Sequence, residues 1–347
     1  MSIKLNGVDS IEFAVKSLSE REKQLTDWGF SKLGEGKSSS TRSTLWGQGK
    51  IKFILSQGDD DKSYASKFVA AHGDGICQVA LNVDDAEKTY SEAVKRGATE
   101  VHEPKKDKLA DGDYTQASIK AVGDVLHTFV SRKNTRVFNP VVQVEVENYP
   151  KGFGMFAVDH LTCNVEAGKM EYWADFYHKI FDFKVTRFFK ITTGRTGLLS
   201  KVLENSEGTV KIPINEPTET KSQIQEYLNV NHGAGVQHLA LSTADILETL
   251  PQLRKSGQEF LNVPDTYYDD VPKRINNMKE DLKKLQAQRI LADGDNSGYL
   301  LQIFSQNAVG PFFFEVIQRA GNQGFGEGNF KALFEAIERD QERRGVL

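Results

Sequence analysis

Cysteine is scarce in this sequence, with only Cys77 and Cys163 among 347 residues. The two lie in apolar segments in different halves of the chain, so no disulfide framework is indicated. Apolar runs near the ~20 residues that a membrane-spanning helix needs are also missing. Residues 1–6 lack the apolar region of a secretory signal peptide. We therefore expect a soluble protein in the reducing cytoplasm.

A surplus of positive charge is missing as well. The chain has 44 Lys plus Arg against 48 Asp plus Glu, a formal net charge of -4, so no excess of cations is available to neutralise a phosphate backbone. This balance argues against nucleic acid as a partner. Hydrophobic residues at 39% and charged residues at 27% are typical of a globular chain. At roughly 150 residues per domain, the length corresponds to two domains.

Two segments of the first half recur in the second half in the same order. Residues 72–81 (HGDGICQVAL) align with 232–241 (HGAGVQHLAL), and residues 8–15 (VDSIEFAV) align with 158–165 (VDHLTCNV). Each copy begins with an alternating strand, continues with an amphipathic helix, and ends in β-rich segments separated by Gly, Asn and Asp turns. The pattern predicts an α+β fold of duplicated domains, each built of two βαβββ modules.

The repeat divides the chain into four parts. The first copy covers 1–135, a linker covers 136–155, the second copy covers 156–320, and a Gly-rich loop with a last helix covers 321–347. The clearest helices are predicted over residues 85–96, 170–180, 244–255 and 272–289. In the last helix, with Asn329 as a candidate cap, the spacing predicts one apolar face made of Phe330, Leu333, Phe334 and Ile337.

The two copies differ at positions that could bind a metal ion. Ser10 and Gln78 of the first copy stand where His160 and His238 stand in the second. Strand alternation places His160 on the same face as Thr162, away from the more apolar face of its strand. The candidate imidazole ligands therefore occur in the second copy alone.

A third candidate ligand is Glu315, a carboxylate within the apolar run 312–317. An ionised glutamate there costs several kcal/mol in desolvation unless a cation compensates it. Two histidines and one carboxylate form the donor set of the facial triad that binds Fe(II) in non-haem oxygenases. Two simpler interpretations stay open: the histidines are hydrogen-bonded core residues, and Glu315 pairs with an arginine such as Arg319.

At these residues the second half resembles the 4-hydroxyphenylpyruvate dioxygenase family of the vicinal-oxygen-chelate superfamily. The similarity runs in order through VDHLT (158–162), PINEP (213–217), SQIQ (222–225), GAGVQHLAL (233–241), QIF (302–304), FFEVIQR (313–319) and GFGEGNF (324–330). The first half resembles the family mainly in its layout. The resemblance implies two chelate-fold domains of half-open barrels, of which only the second is catalytic.

The resemblance also implies roles for individual residues. His160, His238 and Glu315 correspond to the ligands of one Fe(II) per chain. Amide and hydroxyl groups correspond to polar residues that act on the substrate: Ser200, Asn215, Gln223, Gln237 and Gln302. Phenylalanines correspond to the aromatic wall of the substrate cavity: Phe304, Phe313, Phe325 and Phe330. The last two belong to the loop and the helix that close over the site, although core packing is the simpler interpretation of all four.

The activity that the resemblance implies is the conversion of 4-hydroxyphenylpyruvate and O2 to homogentisate and CO2, in tyrosine and phenylalanine catabolism. The partners are then this small-molecule substrate, O2 and further copies of the chain in a dimer or tetramer. Three alternatives remain: synthesis of 4-hydroxymandelate from the same substrate, extradiol cleavage of a catechol by a related metalloenzyme, and a metal-free binding protein of the same fold.

Overall fold

A computed structural model describes residues 3–145, 149–192, 197–275 and 277–330, together with residues 342 and 345. The first half contains β1 Gly7–Ala14, α1 Leu18–Asp27, β2 Ser31–Lys37, β3 Thr41–Gln48, β4 Ile51–Gly58, α2 Tyr64–His72, β5 Gly75–Asn82, α3 Ala86–Lys95, β6 Glu100–Leu109, β7 Gly112–Lys120 and β8 Leu126–Lys133. The second half contains β9 Met155–Asn164, α4 Met170–Phe181, β10 Lys184–Thr192, β11 Gly197–Glu204, β12 Lys211–Pro217, α5 Gln223–Val230, β13 Gly235–Thr243, α6 Ile246–Lys255, a 3-10 turn Asp265–Tyr267, α7 Val271–Arg274, α8 Leu282–Gln288, β14 Leu291–Asp295, β15 Gly298–Phe304 and β16 Phe313–Ala320. In this part of the chain, no helix combines the length and the apolar character needed to cross a bilayer.

The two halves form eight-stranded sheets with the same strand order, β2-β3-β4-β1-β5-β8-β7-β6 and β10-β11-β12-β9-β13-β16-β15-β14. In each sheet two βαβββ modules meet along their first strands, so β1 pairs with β5 and β9 pairs with β13, both antiparallel. Each first strand also pairs in parallel with the last strand of its own module, as β1 does with β4 and β13 with β16. The predicted α+β fold of duplicated, paired βαβββ modules is confirmed, and each sheet curls into a half-open barrel.

Helix α3 illustrates why the helices begin and end where they do. The Asp85 carboxylate accepts a hydrogen bond from the backbone N–H of Lys88, which caps the first turn. Ala86, Tyr90 and Ala93 are buried at helical spacing, so one face packs on the sheet. The helices predicted over 85–96, 170–180 and 244–255 correspond to α3, α4 and α6 apart from their terminal residues.

The single helix predicted over 272–289 is wrong, because α7 and α8 are separate short helices. Between them, Glu280 accepts hydrogen bonds of 2.7 Å from the Tyr299 hydroxyl and 2.7 Å from Gln318 Nε2, which lie on β15 and β16. Asp281 then caps α8. Contacts with the sheet and a local cap thus outweigh the helical periodicity of this segment.

One hydrophobic core runs through both halves. The rings of Phe13 and Phe312 meet edge to face at 5.5 Å. At the same boundary, His127 Nε2 of β8 lies 2.9 Å from the Tyr177 hydroxyl of α4. Both cysteines are free and buried. The shared core holds the central strands of the second sheet, β9, β13 and β16, in a fixed relation to the first half.

Candidate metal centre and substrate cavity

The candidate ligands converge because three neighbouring strands place them on one face. Ala240 of β13 pairs with His160 of β9 on one side and with Glu315 of β16 on the other. His238 precedes Ala240 by two residues and therefore points to the same face of the sheet. The strand alternation that the sequence predicted thus brings together residues from three separate segments.

The geometry of the three side chains fits a metal ion. His160 Nε2 lies 3.3 Å and His238 Nε2 lies 3.6 Å from Glu315 Oε2, and the ligand atoms all lie within 4.8 Å of one another. His160 Nδ1 donates to Asp159 Oδ1 at 2.8 Å, and His238 Nδ1 lies 3.1 Å from Gln237 Oε1. Each imidazole is therefore oriented through Nδ1 and leaves Nε2 for the metal, an arrangement typical of metal-binding histidines.

The two histidines differ in their electrostatic surroundings. Burial lowers the pKa of His238 well below its ordinary value, and the neighbouring His160 lowers it further. Burial also opposes protonation of His160, but the carboxylates of Glu315 and Asp159 outweigh it and raise the pKa of this imidazole. The carboxylates of Glu315 and Asp159 thus favour a positive charge at this position. A bound cation would supply that charge in place of the proton on His160.

The pairing of Glu315 with Arg319, left open as a simpler interpretation, does not occur. Arg319 forms a two-pronged ion pair with Asp159 instead, with Nε to Oδ2 and Nη2 to Oδ1 both 2.7 Å. Glu315 faces the two histidines and accepts a 3.3 Å hydrogen bond from Gln302 Nε2. The buried carboxylate therefore has the environment of a metal ligand rather than that of an arginine partner.

A cavity opens over the candidate ligands. Every residue that the resemblance assigns to the substrate lies in its wall: Ser200, Asn215, Gln223, Gln237, Gln302, Phe304, Phe313, Phe325 and Phe330. Sequence reasoning missed further wall residues, namely Thr162, Ile191, Leu198, Val202, Pro213 and Ile224. Alternation with His160 could have indicated Thr162, whereas the aliphatic residues carry no signal that distinguishes them from core. Among these lining residues none is lysine or arginine.

The polar residues of the cavity wall are positioned by hydrogen bonds or by the strands and helices on which they lie. Ser200 and Asn215 are cross-strand neighbours on β11 and β12, and Asn215 Nδ2 donates to Asn164 Oδ1 at 3.3 Å. Gln223 is the first residue of α5. Gln302 joins Glu315 to the C-terminal segment, because its Oε1 accepts a 3.1 Å hydrogen bond from Asn329 Nδ2.

The sequence predicted Asn329 as the cap of the last helix, and this prediction is wrong. The helical residues start at 327, so Asn329 lies inside the first turn, and its side chain bonds to Gln302 and accepts from the Tyr267 hydroxyl at 2.5 Å. A tertiary partner thus replaces the local capping role. The predicted apolar face at Leu333, Phe334 and Ile337 lies outside the described residues.

Phenylalanine rings pack directly on the imidazoles of the candidate ligands. Phe313 stacks on His238 with ring centroids 4.7 Å apart. Phe325 meets His160 edge to face at 5.1 Å, and Phe330 packs on Phe189 at 5.1 Å. The cavity therefore has an apolar aromatic wall beside a polar end that carries the candidate ligands.

The corresponding positions of the first half carry neutral side chains. Ala80 pairs with Ser10 on β1 and with Thr128 on β8, as Ala240 pairs with its two ligands. Thr128 shares a 2.8 Å hydrogen bond with Ser118, and Gln78 Nε2 donates to Glu12 at 3.1 Å. Ser10, Gln78 and Thr128 thus replace the three ligands, and the Thr128 correspondence was not visible in the sequence.

The fold and the donor set together define a metal-binding enzyme of the vicinal-oxygen-chelate class, and residues 157–275 match the family described as "Glyoxalase/Bleomycin resistance protein/Dioxygenase superfamily". Residues 2–143 match "Hydroxyphenylpyruvate dioxygenase, HPPD, N-terminal". A 4-hydroxyphenylpyruvate dioxygenase of Legionella pneumophila (strain Corby) is 41% identical over 346 residues, covering 99% of this chain and 97% of the relative. The chain belongs to the 4-hydroxyphenylpyruvate dioxygenase family.

Similarity extends to eukaryotes and to a solved structure. A 4-hydroxyphenylpyruvate dioxygenase of Dictyostelium discoideum is 42% identical over 308 residues, covering 83% of each chain. The structure of a 4-hydroxymandelate synthase mutant from Streptomyces coelicolor superposes with a TM-score of 0.87 at 28% identity, covering 98% of this chain and 100% of that one. The resemblance of the second half to this family is thus confirmed.

Proposed function

We propose that the chain is an Fe(II)-dependent dioxygenase that converts 4-hydroxyphenylpyruvate and O2 to homogentisate and CO2. The observation that carries the proposal is one buried cavity in which His160, His238 and Glu315 lie beside a wall of phenylalanines. A 2-oxo acid with an aromatic ring matches both ends of such a cavity. Membership of the family supports the same substrate.

The three ligands would hold Fe(II) through His160 Nε2, His238 Nε2 and a Glu315 oxygen. When bound, this ion supplies the activation of O2 and three open positions for O2 and a chelating 2-oxo acid. The chain itself contributes the orientation of the imidazoles through Asp159 and Gln237. Fixed ligands of this kind need no reorganisation when substrate arrives.

The charge of the cavity supports binding of the substrate carboxylate at the metal. Among the described residues that line the cavity, none is lysine or arginine, and Glu315 contributes a carboxylate. An incoming carboxylate in this buried site would be unpaired without a cation. A metal ion held by His160, His238 and Glu315 would therefore also supply the counter-charge for the substrate carboxylate.

The remaining wall residues bind and orient the substrate. Phe304, Phe313, Phe325 and Phe330 give an apolar surface for its aromatic ring and exclude water from the reacting end. The amide and hydroxyl groups of Ser200, Asn215, Gln223, Gln237 and Gln302 offer hydrogen bonds to its oxygen atoms. In this arrangement, positioning and dehydration are the contribution of the protein, while the oxidation belongs to the metal.

The test is O2 uptake by the purified chain with 4-hydroxyphenylpyruvate, with and without added Fe(II), followed by chromatography of the product. We expect Fe(II)-dependent uptake and one homogentisate per O2 consumed. Fe(II)-independent turnover, or no turnover in the iron-loaded chain, contradicts the proposal. Uptake with a catechol instead of the 2-oxo acid would assign the extradiol reaction.

Synthesis of 4-hydroxymandelate is the second candidate, because the solved mutant structure of that synthase shares the fold at 28% identity. Both reactions consume the same substrate and O2 and release CO2, so the chromatogram alone separates them. Homogentisate carries the new hydroxyl on the ring, whereas 4-hydroxymandelate carries it on the side chain. The cytoplasmic location and a dimeric or tetrameric state stay predictions.

A further inference from the structure

Asp159 and Arg319 form a buried connection next to the candidate ligand His160. Asp159 Oδ1 accepts hydrogen bonds from His160 Nδ1 at 2.8 Å and from Arg319 Nη2 at 2.7 Å. Its Oδ2 accepts from Arg319 Nε at 2.7 Å. The side chains of Asp159 and Arg319 are only 7% and 13% exposed, so water screens this pair weakly. The candidate ligand His160 is thus tied through one carboxylate to a guanidinium on β16.

The other end of the guanidinium holds the loop that closes the cavity. Arg319 Nη1 donates to the carbonyl oxygens of Asn322 at 3.1 Å and Gly324 at 2.6 Å. Its cationic group lies 5.6 Å from the centroid of the Phe325 ring, and that ring meets His160 edge to face. One arginine therefore connects the His160 side chain with the backbone and the aromatic ring of the loop.

The first half contains a similar connection without a candidate metal ligand, in which Lys52 Nζ also lies 3.3 Å from Asp9 Oδ1. Arg132 pairs with Asp9, with Nη1 to Oδ1 2.5 Å and Nη2 to Oδ2 3.1 Å, and donates to the Phe138 carbonyl. Its guanidinium lies 5.5 Å from the Phe138 ring. The residue after Asp9 is Ser10, so this connection ends at a hydroxyl. The pair from the first half is therefore a matched internal control for the pair in the second half.

We propose that Arg319, acting through Asp159, is a positioning residue that makes metal binding at His160 and closure of the 322–325 loop favour each other. The proposal rests on the metal centre of the proposed function. A planar guanidinium can meet a carboxylate with two parallel N–H groups and still donate to two carbonyls, which a lysine ammonium cannot do. Because a coupling free energy is reciprocal, metal should order the loop to the same extent that the closed loop strengthens metal binding.

The test compares Arg319→Lys with Arg132→Lys in the full-length chain. Fe(II) affinity is measured anaerobically by calorimetry, and amide hydrogen exchange of peptides covering 321–330 is measured with and without Fe(II). We expect Fe(II) to slow exchange in the wild type. Arg319→Lys should weaken Fe(II) binding on the order of 10- to 100-fold and abolish the Fe(II)-dependent part of the protection. Arg132→Lys should change neither readout.

A second pair of variants covers the case in which Arg319→Lys does not fold. Asp159→Asn keeps the size of the side chain and removes its charge, and Asp9→Asn makes the same change in the first half. We expect loss of Fe(II)-dependent loop protection in Asp159→Asn alone. This readout is a difference between metal-loaded and metal-free samples, so a general loss of stability does not produce it.

The outcomes separate this inference from the proposed function. A wild-type chain that binds no Fe(II) contradicts the metal centre itself, and the coupling falls with it. If the wild-type chain binds Fe(II), the coupling alone is overturned by either of two results in both Arg319→Lys and Asp159→Asn. These results are an unchanged Fe(II) affinity and an unchanged Fe(II)-dependent protection of the loop. Equal effects in the first-half and second-half variants also overturn it, because they would assign both ion pairs a purely structural role.

Discussion

At the scale of single residues, the two halves of the chain differ in donor chemistry at matching points of matching sheets. His160, His238 and Glu315 stand where the first half has Ser10, Gln78 and Thr128. The neutral side chains of the first half satisfy their own hydrogen bonds, whereas the second half places a buried carboxylate against two imidazoles. A cation removes the cost of that burial.

We predict that His160→Ala, His238→Ala and Glu315→Ala each lose Fe(II) and activity while the chain stays folded, because three ligands supply most of the affinity for the metal. Iron per chain after anaerobic purification, together with circular dichroism, checks this. Ser10→Ala and Gln78→Ala are the matched controls and should keep the wild-type iron content. Full turnover in a ligand variant would remove that residue from the site, and iron loss in a control would place chemistry in the first half.

Gly326 is a residue whose lack of a side chain keeps the cavity wall intact. Its φ is +78°, and a Cβ there would lie 1.8 Å from Gln302 Oε1. We predict that Gly326→Ala displaces Gln302 or the loop and lowers turnover on the order of 100-fold, with iron content near wild type. Gly208→Ala is the control, because Gly208 has φ +64° and nothing within 4 Å of the added Cβ.

The Gly208→Ala control should lose only the ~1 kcal/mol of stability that a left-handed alanine costs, with normal turnover. Steady-state kinetics and chemical unfolding of both variants provide the comparison. Equal turnover in Gly326→Ala and the wild type would mean that Gln302 and the loop can move without consequence. That result would contradict a positioning role for the contact between them.

At the scale of elements, residues 321–330 are attached at several points to the sheet that carries the candidate ligands. Asn329 bonds to Gln302 of β15, Arg319 of β16 holds the 322–324 backbone, and Gly328 N–H donates to Asp293 of β14 at 2.8 Å. These contacts hold residues 322–329 against β14, β15 and β16. The closed position of this segment depends on side chains that also surround the ligands.

We predict that truncation before Gly326 uncouples O2 consumption from product formation. Without this segment water reaches the cavity, so O2 uptake and CO2 release should persist slowly while homogentisate formed per O2 falls. Measuring the three quantities on one folded sample checks this. If the segment is only a structural cap, all activities fall together, and an unchanged ratio of product to oxygen would contradict gating.

At the scale of the whole molecule, the two halves share a core whose boundary contains a buried histidine. His127 is 2% exposed and bonds to Tyr177 across the halves. Burial lowers the pKa of His127 from 6.5 to about 4. Above pH 6.5 neither the folded nor the unfolded chain protonates this residue. Between pH 6.5 and 4 the unfolded chain binds a proton that the folded chain does not, so acid destabilises the fold.

We predict that this histidine alone removes about 2 kcal/mol of unfolding free energy between pH 7 and pH 5, since one pKa unit corresponds to about 1.4 kcal/mol. Urea unfolding of the wild type and of His127→Gln at both pH values checks the sign and the size. The variant should start less stable at pH 7 and lose less on acidification. Parallel losses in the two proteins would mean that His127 is protonated at little cost in the folded state.

The sequence by itself determined the duplicated α+β architecture and the identity of the three candidate ligands. Each depends on information that is local or repeated: strand alternation, capped amphipathic helices, and two aligned copies that differ at Ser10 and His160 and at Gln78 and His238. Glu315 was accessible because a carboxylate in an apolar strand requires a compensating charge.

The hydrogen-bond partners of several polar side chains could be found only from the tertiary structure. Arg319 could have paired with Glu315, four residues away in the chain, but it pairs with Asp159 on β9. Asn329 could have capped its own helix, but its side chain bonds to Gln302. The segment before α8 is not helical at Glu280, which instead accepts hydrogen bonds from the sheet. In each case a preference for a near neighbour in the chain, worth about 1 kcal/mol for a helix cap, competed with a hydrogen bond whose partner lies in another element. Sequence patterns report the first of these terms, and only the assembled sheets supply the second.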